Sequence, residues 1–367
     1  MTSILHRSLS ATALGGALAM LPALVSAQQT DDGFNVYGHL NLGVLTVDDG
    51  VSTDSIFTDN DNSNSRVGFT YDKTFETGNK LRFHFETAIG LTGSSGATAS
   101  NDDFDIDPTR RDIRRVDLQY TVGNVGKFYI GQGSTATDGI AENDLSKTGV
   151  ITYSSVQDLA GGNAFRLADG SVSNVRINQA FSAFDGGRRF RVRYDTPNFN
   201  GFTFSGSFGT EVLARNDDRE FTDLAATYKG GFADFDFVAG LGYASINNGA
   251  ETVAGSASIF HKPTGLNFTL AAGENLDTNA DSLYVKAGIV RDWFSIGETA
   301  LAIDYTRGRD FVSAGSESDS YAISAVQKID NLNTEIFATF RTYEFSDTSG
   351  SSFQDIDTSF VGARWRF

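Results

Sequence analysis

The sequence predicts an all-β protein, a closed antiparallel barrel of sixteen strands, on three observations. Short runs of alternating apolar and polar residues recur along the chain. The connections between them alternate between short and long. The last eight residues, "FVGARWRF", also alternate and finish on an aromatic, where chain termini ordinarily fray.

Each strand is argued from its period of two, because successive side chains on a strand point to opposite faces. In "FNVYGHLNLGVL", Phe34, Val36, Leu40, Leu42 and Val44 oppose Asn35, Tyr37, His39 and Asn41. "SRVGFTYDK" sets Val67, Phe69 and Tyr71 against Arg66, Thr70 and Asp72, and "KLRFHFETAIG" sets Leu81, Phe83 and Phe85 against Arg82, His84 and Glu86. Strands are expected to follow near residues 111 and 126. "RRFRVRYD" then places Phe190, Val192 and Tyr194 opposite Arg189, Arg191 and Arg193. Further runs begin near residues 201, 219, 232, 252, 265, 281, 297, 317, 333 and 355, and "ADFDFVAGLGY" and "TALAIDYTRG" repeat the scheme. The short connections, such as "VGNVGK", "TPNFNG", "HKPTG" and "KIDNLN", carry the Gly, Asn, Asp and Pro that tight turns require. The long ones include residues 46–64, 92–110 and 133–187. Strict long-short alternation puts all turns at one end of an up-and-down meander and all loops at the other.

Alternation by itself also suits a soluble sandwich or propeller, whose apolar strand faces meet a core. Sixteen sequential hairpin-connected strands without a blade-like repeat favour the closed barrel instead. Backbone polar groups in hydrocarbon must all be paired, which only helices and closed barrels achieve. The strand number is even and the strands are of spanning length, so the barrel is expected to be transmembrane. Its apolar faces then meet lipid and its polar faces line a wet interior. On the closing strand the lipid face would be Val361, Ala363, Trp365 and Phe367. Tyr71, Tyr194, Tyr228, Trp293, Trp365 and Phe367 all fall near the short connections, as an aromatic girdle at one membrane interface would.

Composition supports a folded chain: 367 residues, 12% aromatic, 39 Gly, 4 Pro and no Cys, which removes disulfides and thiolate chemistry together. Residues 1–27 combine Arg7, an apolar stretch broken by Pro22 and the small residues Val25, Ser26 and Ala27. This pattern predicts a cleaved secretory signal, with a retained membrane helix as the alternative. The mature barrel would be residues 28–367, with 28 basic and 46 acidic side chains and a net charge of −18. No later stretch approaches the apolar length of a membrane helix.

The mature chain resembles the general diffusion porins of Gram-negative bacteria over essentially its whole length. "FNVYGHLNLGV" is similar to the family's first strand, "SRVGFTYDKTFETGNKLRFHFE" to its second hairpin, and "RVRYDTPNFNGFTFSGSF" to its sixth and seventh strands around a Pro-Asn turn. "VGNVGKFYIGQG" resembles the hairpin leading into the third loop, although the segment after it carries no motif that aligns residue by residue. "FVGARWRF" resembles the C-terminal signature that the barrel-assembly machinery reads. The resemblance implies an inward-folded third loop facing basic residues on the opposite wall, and a homotrimer embedded in outer-membrane lipid and lipopolysaccharide.

Independently, residues 133–187 form a 55-residue connection, far longer than a turn needs. It holds the acids Asp138, Glu142, Asp144, Asp158, Asp169 and Asp185. The expected constriction sets Asp138, Glu142, Asp144 and Asp158 against Arg66, Arg82, Arg189, Arg191 and Arg193 of the wall. His39 and His84 fall on polar faces and form no catalytic triad, and "GQGSTATDG" lacks the end of a phosphate loop. "TDNDN" and "NDDFDID" are read as solvated loop tips, with divalent-cation binding as the alternative. The expected function is a water-filled channel for passive diffusion of ions and small hydrophilic solutes, weakly cation-selective, without catalysis, cofactor, metal or nucleic-acid partner. A substrate-selective porin and an outer-membrane barrel enzyme are the alternatives.

Overall fold

A computed structural model describes residues 32–247 and 249–367. The predicted signal segment lies outside the described residues. The chain forms sixteen barrel strands. Strand β1 is Gly33–Asp48; β2 comes in two pieces, Thr53–Asp59 and Arg66–Thr74; β3 is Lys80–Ala88 and β4 Ile113–Val122. Strands β5 (Gly126–Ser134) and β6 (Arg188–Asp195) flank the long third loop. The meander continues through β7 (Phe202–Thr210), β8 (Glu220–Phe232), β9 (Phe235–Ile246), β10 (Glu251–His261) and β11 (Leu266–Asn275). It ends with β12 (Asp281–Phe294), β13 (Gly297–Arg309), β14 (Glu317–Ile329), β15 (Thr334–Ser346) and β16 (Ile356–Arg366).

Every strand pairs antiparallel with its neighbour in sequence, and β16 closes the barrel on β1 with Leu40 opposite Trp365 and Val44 opposite Val361. The outer face is apolar and open: Phe34 is 69% exposed, Leu241 61% and Ile323 62%, while Asn41 on the inner face of β1 is fully buried. Such a continuous apolar exterior fits lipid and would be an aggregation liability in water. No described helix is long and apolar enough to cross a membrane, and the strands do the spanning. At the turn end Phe34 packs at a tilt against Tyr71 (4.9 Å), Phe128 against Tyr194 (5.0 Å), Phe202 against Tyr228 (4.7 Å) and Trp365 against Phe367 (5.2 Å).

One connection differs from expectation. Residues 46–64 are not a loop: β1 continues to Asp48, turns at once, and β2 returns alongside it. Both pieces of β2 pair with the same edge of β1, so they are one barrel strand interrupted at residues 60–65. "NDNSNS" is unfavourable for a ladder because Asn, Asp and Ser side chains bond to nearby backbone instead. Here the Asp59 carboxylate accepts the Ser65 N–H (2.9 and 2.8 Å), and a single turn over Asp61–Ser63 bulges between them. The freed carbonyls turn inward, where His39 Nε2 donates to Ser63 O (3.1 Å) and Asn64 O (2.9 Å).

Candidate functional site

The third loop, residues 135–187, does not project into solvent. It crosses the barrel interior, and its anchors trace the path. Thr137 N donates to Asp223 of β8 (3.2 Å), Asn143 N to Ser256 of β10 (2.9 Å) and Leu145 N to Ser258 (3.0 Å). Asp144 pairs with Lys286 of β12 at 2.7 Å, and Lys286 Nζ also donates to Thr152 O (2.7 Å). Arg341 of β15 donates to Thr152 Oγ1 (2.9 Å) and to Asp304 of β13 (2.8 Å). The Tyr343 hydroxyl caps the carbonyls of Val156 (2.8 Å) and Leu159 (2.7 Å). Glycines in the wall make room: a Cβ on Gly240 would sit 2.6 Å from Ile140, and one on Gly242 2.7 Å from Thr137. Loop residues Ile151, Leu159, Phe165, Ile177 and Phe181 bury against inward-facing Leu45, Phe337, Tyr343 and Phe360, a dry core inside the barrel. The strand period cannot reveal this core, because Phe337 and Phe360 occupy positions that alternation assigns to the wet face.

The second loop, residues 89–112, clamps the third. Ser94 Oγ donates to Asp158 O (2.7 Å), Ala160 N donates to Ser94 O (3.0 Å) and Gly162 N to Ser95 O (2.6 Å). Asp61, in the interruption of β2, accepts Ser95 N at 2.9 Å. Gly93 lies so close that a Cβ would meet the Asp61 carboxylate at 2.2 Å. Gly93→Val is therefore expected to push the second loop off the interruption of β2 and so loosen its hold on the third loop. Single-channel recordings should show flickering substates where the parent channel is steady. A steady trace would mean that the clamp does not hold the loop.

Between the third loop and the wall lies a cavity of 330 Å³. Its loop side carries Asp138, Glu142, Asp158 and Asp185, joined by Asp61; its wall side carries Arg66, Arg114 and Arg188. Glu86 fixes the wall side, taking Arg114 at 2.6 Å and Arg66 at 3.7 Å, while Arg188 stands 3.9 Å from Asp138 across the gap. The loop carboxyls crowd one another. Burial, with Asp185, Asp138 and Asp158 nearby, pushes Glu142 up to about 8. Burial also raises Asp185 to about 7, against the N–H groups of Ala141 and Gly139, and Asp158 to about 7, against its hydrogen bond from Tyr153.

Of the residues singled out in the sequence, Asp138, Glu142, Asp158 and Arg66 meet at this cavity. The others lie elsewhere. Asp144 is an anchor on Lys286, and Arg82 pairs with Asp72 (2.6 Å) toward the turn end. Arg189 sits at the loop end beside Glu211 (3.6 Å). Arg191 is buried against Asp117 (2.6 Å), and Arg193 holds Asp195 (2.7 Å) and the carbonyl of Thr135 at the root of the loop. Asp185 is legible as a loop acid, and Asp61 belongs to "TDNDN", which is not a solvated loop tip but a largely buried break in β2; Arg114 and Arg188 carry no such signal in the sequence. Strict alternation assigns Arg114 to the outside, but a register shift opposite Glu86 and Thr87 turns it inward. Arg188 opens β6 and lines the same cavity. Outward-facing Val361 and Ala363 are exposed, with Trp365 half-buried and Phe367 exposed at the turn end.

A closed barrel with a lipid-compatible exterior, a charged interior and a loop narrowing its lumen defines a membrane channel. The chain belongs to the Gram-negative porin family, whose model matches residues 11–348, and it forms an outer-membrane porin channel. No curated protein matches at a significant level. Among solved structures, it is similar to the anion-selective porin from Comamonas acidovorans, with 16% identity, a TM-score of 0.60, and 92% of this chain and 100% of that one covered. It is also similar to OmpT of Vibrio cholerae (13% identity, TM-score 0.56, 93% and 99% covered) and to a mutant of the Rhodopseudomonas blastica porin (13%, 0.53, 91% and 100%). At these identities the likeness is one of fold.

Proposed function

We propose that this porin is a passive, water-filled channel for ions and small hydrophilic solutes. Its constriction has Asp138, Glu142, Asp158 and Asp185 facing Arg66, Arg114 and Arg188. The observation carrying this reading is the opposition of the two banks across one small cavity. Fixed charges of opposite sign create a transverse field that orients water and dipolar solutes, so the field sorts by charge while the gap sorts by size. Residues 1–27 act as the secretory signal, Val361, Ala363, Trp365 and Phe367 as the signal for the barrel-assembly machinery, and the mature chain works as a homotrimer in lipopolysaccharide-bearing lipid. A trimer form is recorded for the Vibrio cholerae OmpT.

Selectivity follows from the count of charges and from pH. With five carboxyls against three arginines at the cavity, and an acidic chain overall, the channel prefers cations weakly when the acids are ionised. Glu142, raised to about 8, and Asp185 and Asp158, raised to about 7, are ionised above those values and neutral below them. Cation preference is thus fullest above about pH 8 and weakens as pH falls through 8 to 7, when Asp138, Asp61 and the wall's Glu86 are left against the three arginines. The zero-current potential in a KCl gradient should lie on the cation side at alkaline pH and move toward the anion side by pH 6. Asp138→Asn/Glu142→Gln/Asp185→Asn should lie nearer the anion side than the parent at alkaline pH, with a flattened pH response. An anion preference at every pH in the parent channel, as the name of the Comamonas protein describes for that porin, would overturn the cation reading.

A further inference from the structure

A second cavity of 490 Å³ opens at the long-loop end and shares Asn64, Arg114 and Arg188 with the constriction. Arg111, Arg189 and Arg219 add to its lining, against Asp112, Glu211 and Asp217. The acids there are already engaged. Asp112 accepts the Thr109 N–H (2.6 Å), Glu211 accepts the N–H groups of Leu213 (2.7 Å) and Ala214 (3.1 Å), and Asp217 holds Arg219 through both oxygens (2.9 and 2.6 Å). Of the bases, Arg114 is held by Glu86 and Arg189 gives one Nη to Arg188 O (2.6 Å), but other guanidinium donors are left over. The buried Nε atoms of Arg188 and Arg189 have no hydrogen-bond partner, and the Arg111 side chain has none among the described residues. The nearest carboxylates stand 3.9 Å from Arg188 and 3.6 Å from Arg189, outside hydrogen-bond reach. Arg189 is also held in place, its guanidinium 4.0 Å above the ring of Phe221.

Buried donors without acceptors require explanation in a folded protein, and guanidinium forks match oxyanions in geometry as well as charge. We propose that Arg111, Arg188 and Arg189 form a binding site for small multivalent oxyanions, solutes bearing a phosphate or paired carboxylates, at the entrance to the constriction. The site rests on the channel reading and gives it a solute class. It coexists with weak cation preference, since a bound dianion dwells on the arginine side of the lumen while cations pass along the acidic loop.

The test is conductance of the refolded mature channel in KCl, with potassium phosphate added at constant ionic strength. Phosphate should lower the conductance saturably, succinate should do the same, and acetate should not. Arg188→Gln/Arg189→Gln should raise the half-blocking phosphate concentration about tenfold, the loss of charge-assisted bidentate contacts. Arg82→Gln/Lys127→Gln, equal in charge but toward the turn end, should leave it unchanged. Arg111→Gln, in an exposed loop segment that does not affect folding of the wall, should raise it by a smaller factor. A normal KCl conductance with no saturable phosphate block overturns the site and leaves the channel intact, whereas no KCl conductance fails the channel reading itself. Equal block by acetate, or an equal shift in the charge-matched pair, also overturns the site.

Discussion

Asp304→Ala is expected to unseat the third loop and widen the pore. Arg341 is 2% exposed and gives one nitrogen to both oxygens of Asp304 (2.8 and 3.0 Å) and to Thr152 Oγ1 (2.9 Å). Removing the carboxylate leaves a buried cation uncompensated, which costs ~3–5 kcal/mol. The strand ladders of β13 and β15 do not depend on that side chain, so the loss falls on the docking of the loop. The population of undocked loop should rise by about two to nearly four orders of magnitude on that energy. Single-channel conductance should increase several-fold, and the loop should become open to proteolysis while the barrel stays resistant. Asp304→Leu/Arg341→Met removes both charges and should recover much of the parent behaviour, because a buried pair exchanged for apolar groups is often neutral. A parent-like conductance in the Asp304→Ala channel would place the restraint elsewhere, with Lys286 and Asp144 the next pair to break.

Deleting Phe367 is expected to lower the yield of folded barrel sharply. Its N–H donates to Gly38 O (3.0 Å) and its carbonyl accepts Gly38 N–H (3.1 Å), the last rung between the closing strand and the first. Each group orphaned where water substitutes only in part costs ~1–3 kcal/mol. The ring is fitted as well: it packs at a tilt against Trp365 at 5.2 Å and lies over Gly38 so closely that a Cβ there would meet it at 2.5 Å. Gly38→Val should accordingly reproduce much of the defect with the terminus intact. The fraction of heat-modifiable, fast-migrating protein on a gel reports the yield. Full yield from both variants would remove the terminal aromatic from the assembly signal.

The strands were legible because their signal is local. A period of two is carried by each run on its own, so β3, β5, β6, β12, β13 and β14 begin where alternation puts them or within a residue of it. The interruption in β2 escaped because its two pieces are short and the polar residues between them read as part of one long loop. The closing strand could be assigned a face, Val361 to Phe367, from the same local rule.

What the chain determines without reference to its fold is therefore the number of strands, their order, and, outside breaks and register shifts, the side of the sheet on which a residue falls. Which charges meet is a different quantity. Alternation says that Arg66, Arg82, Arg189, Arg191 and Arg193 face inward; it says nothing of their height along the barrel axis or of what stands across from them. Those are set by the route of the third loop, and that route is fixed by contacts such as Asp144 with Lys286 and Thr152 with Arg341, between residues far apart in sequence. Arg114 reaches the charged cavity through a register shift and Asp61 through a broken strand, both local departures from the pattern that predicted the rest. The barrel is written in a two-residue period, whereas the pore is decided by long-range packing inside it.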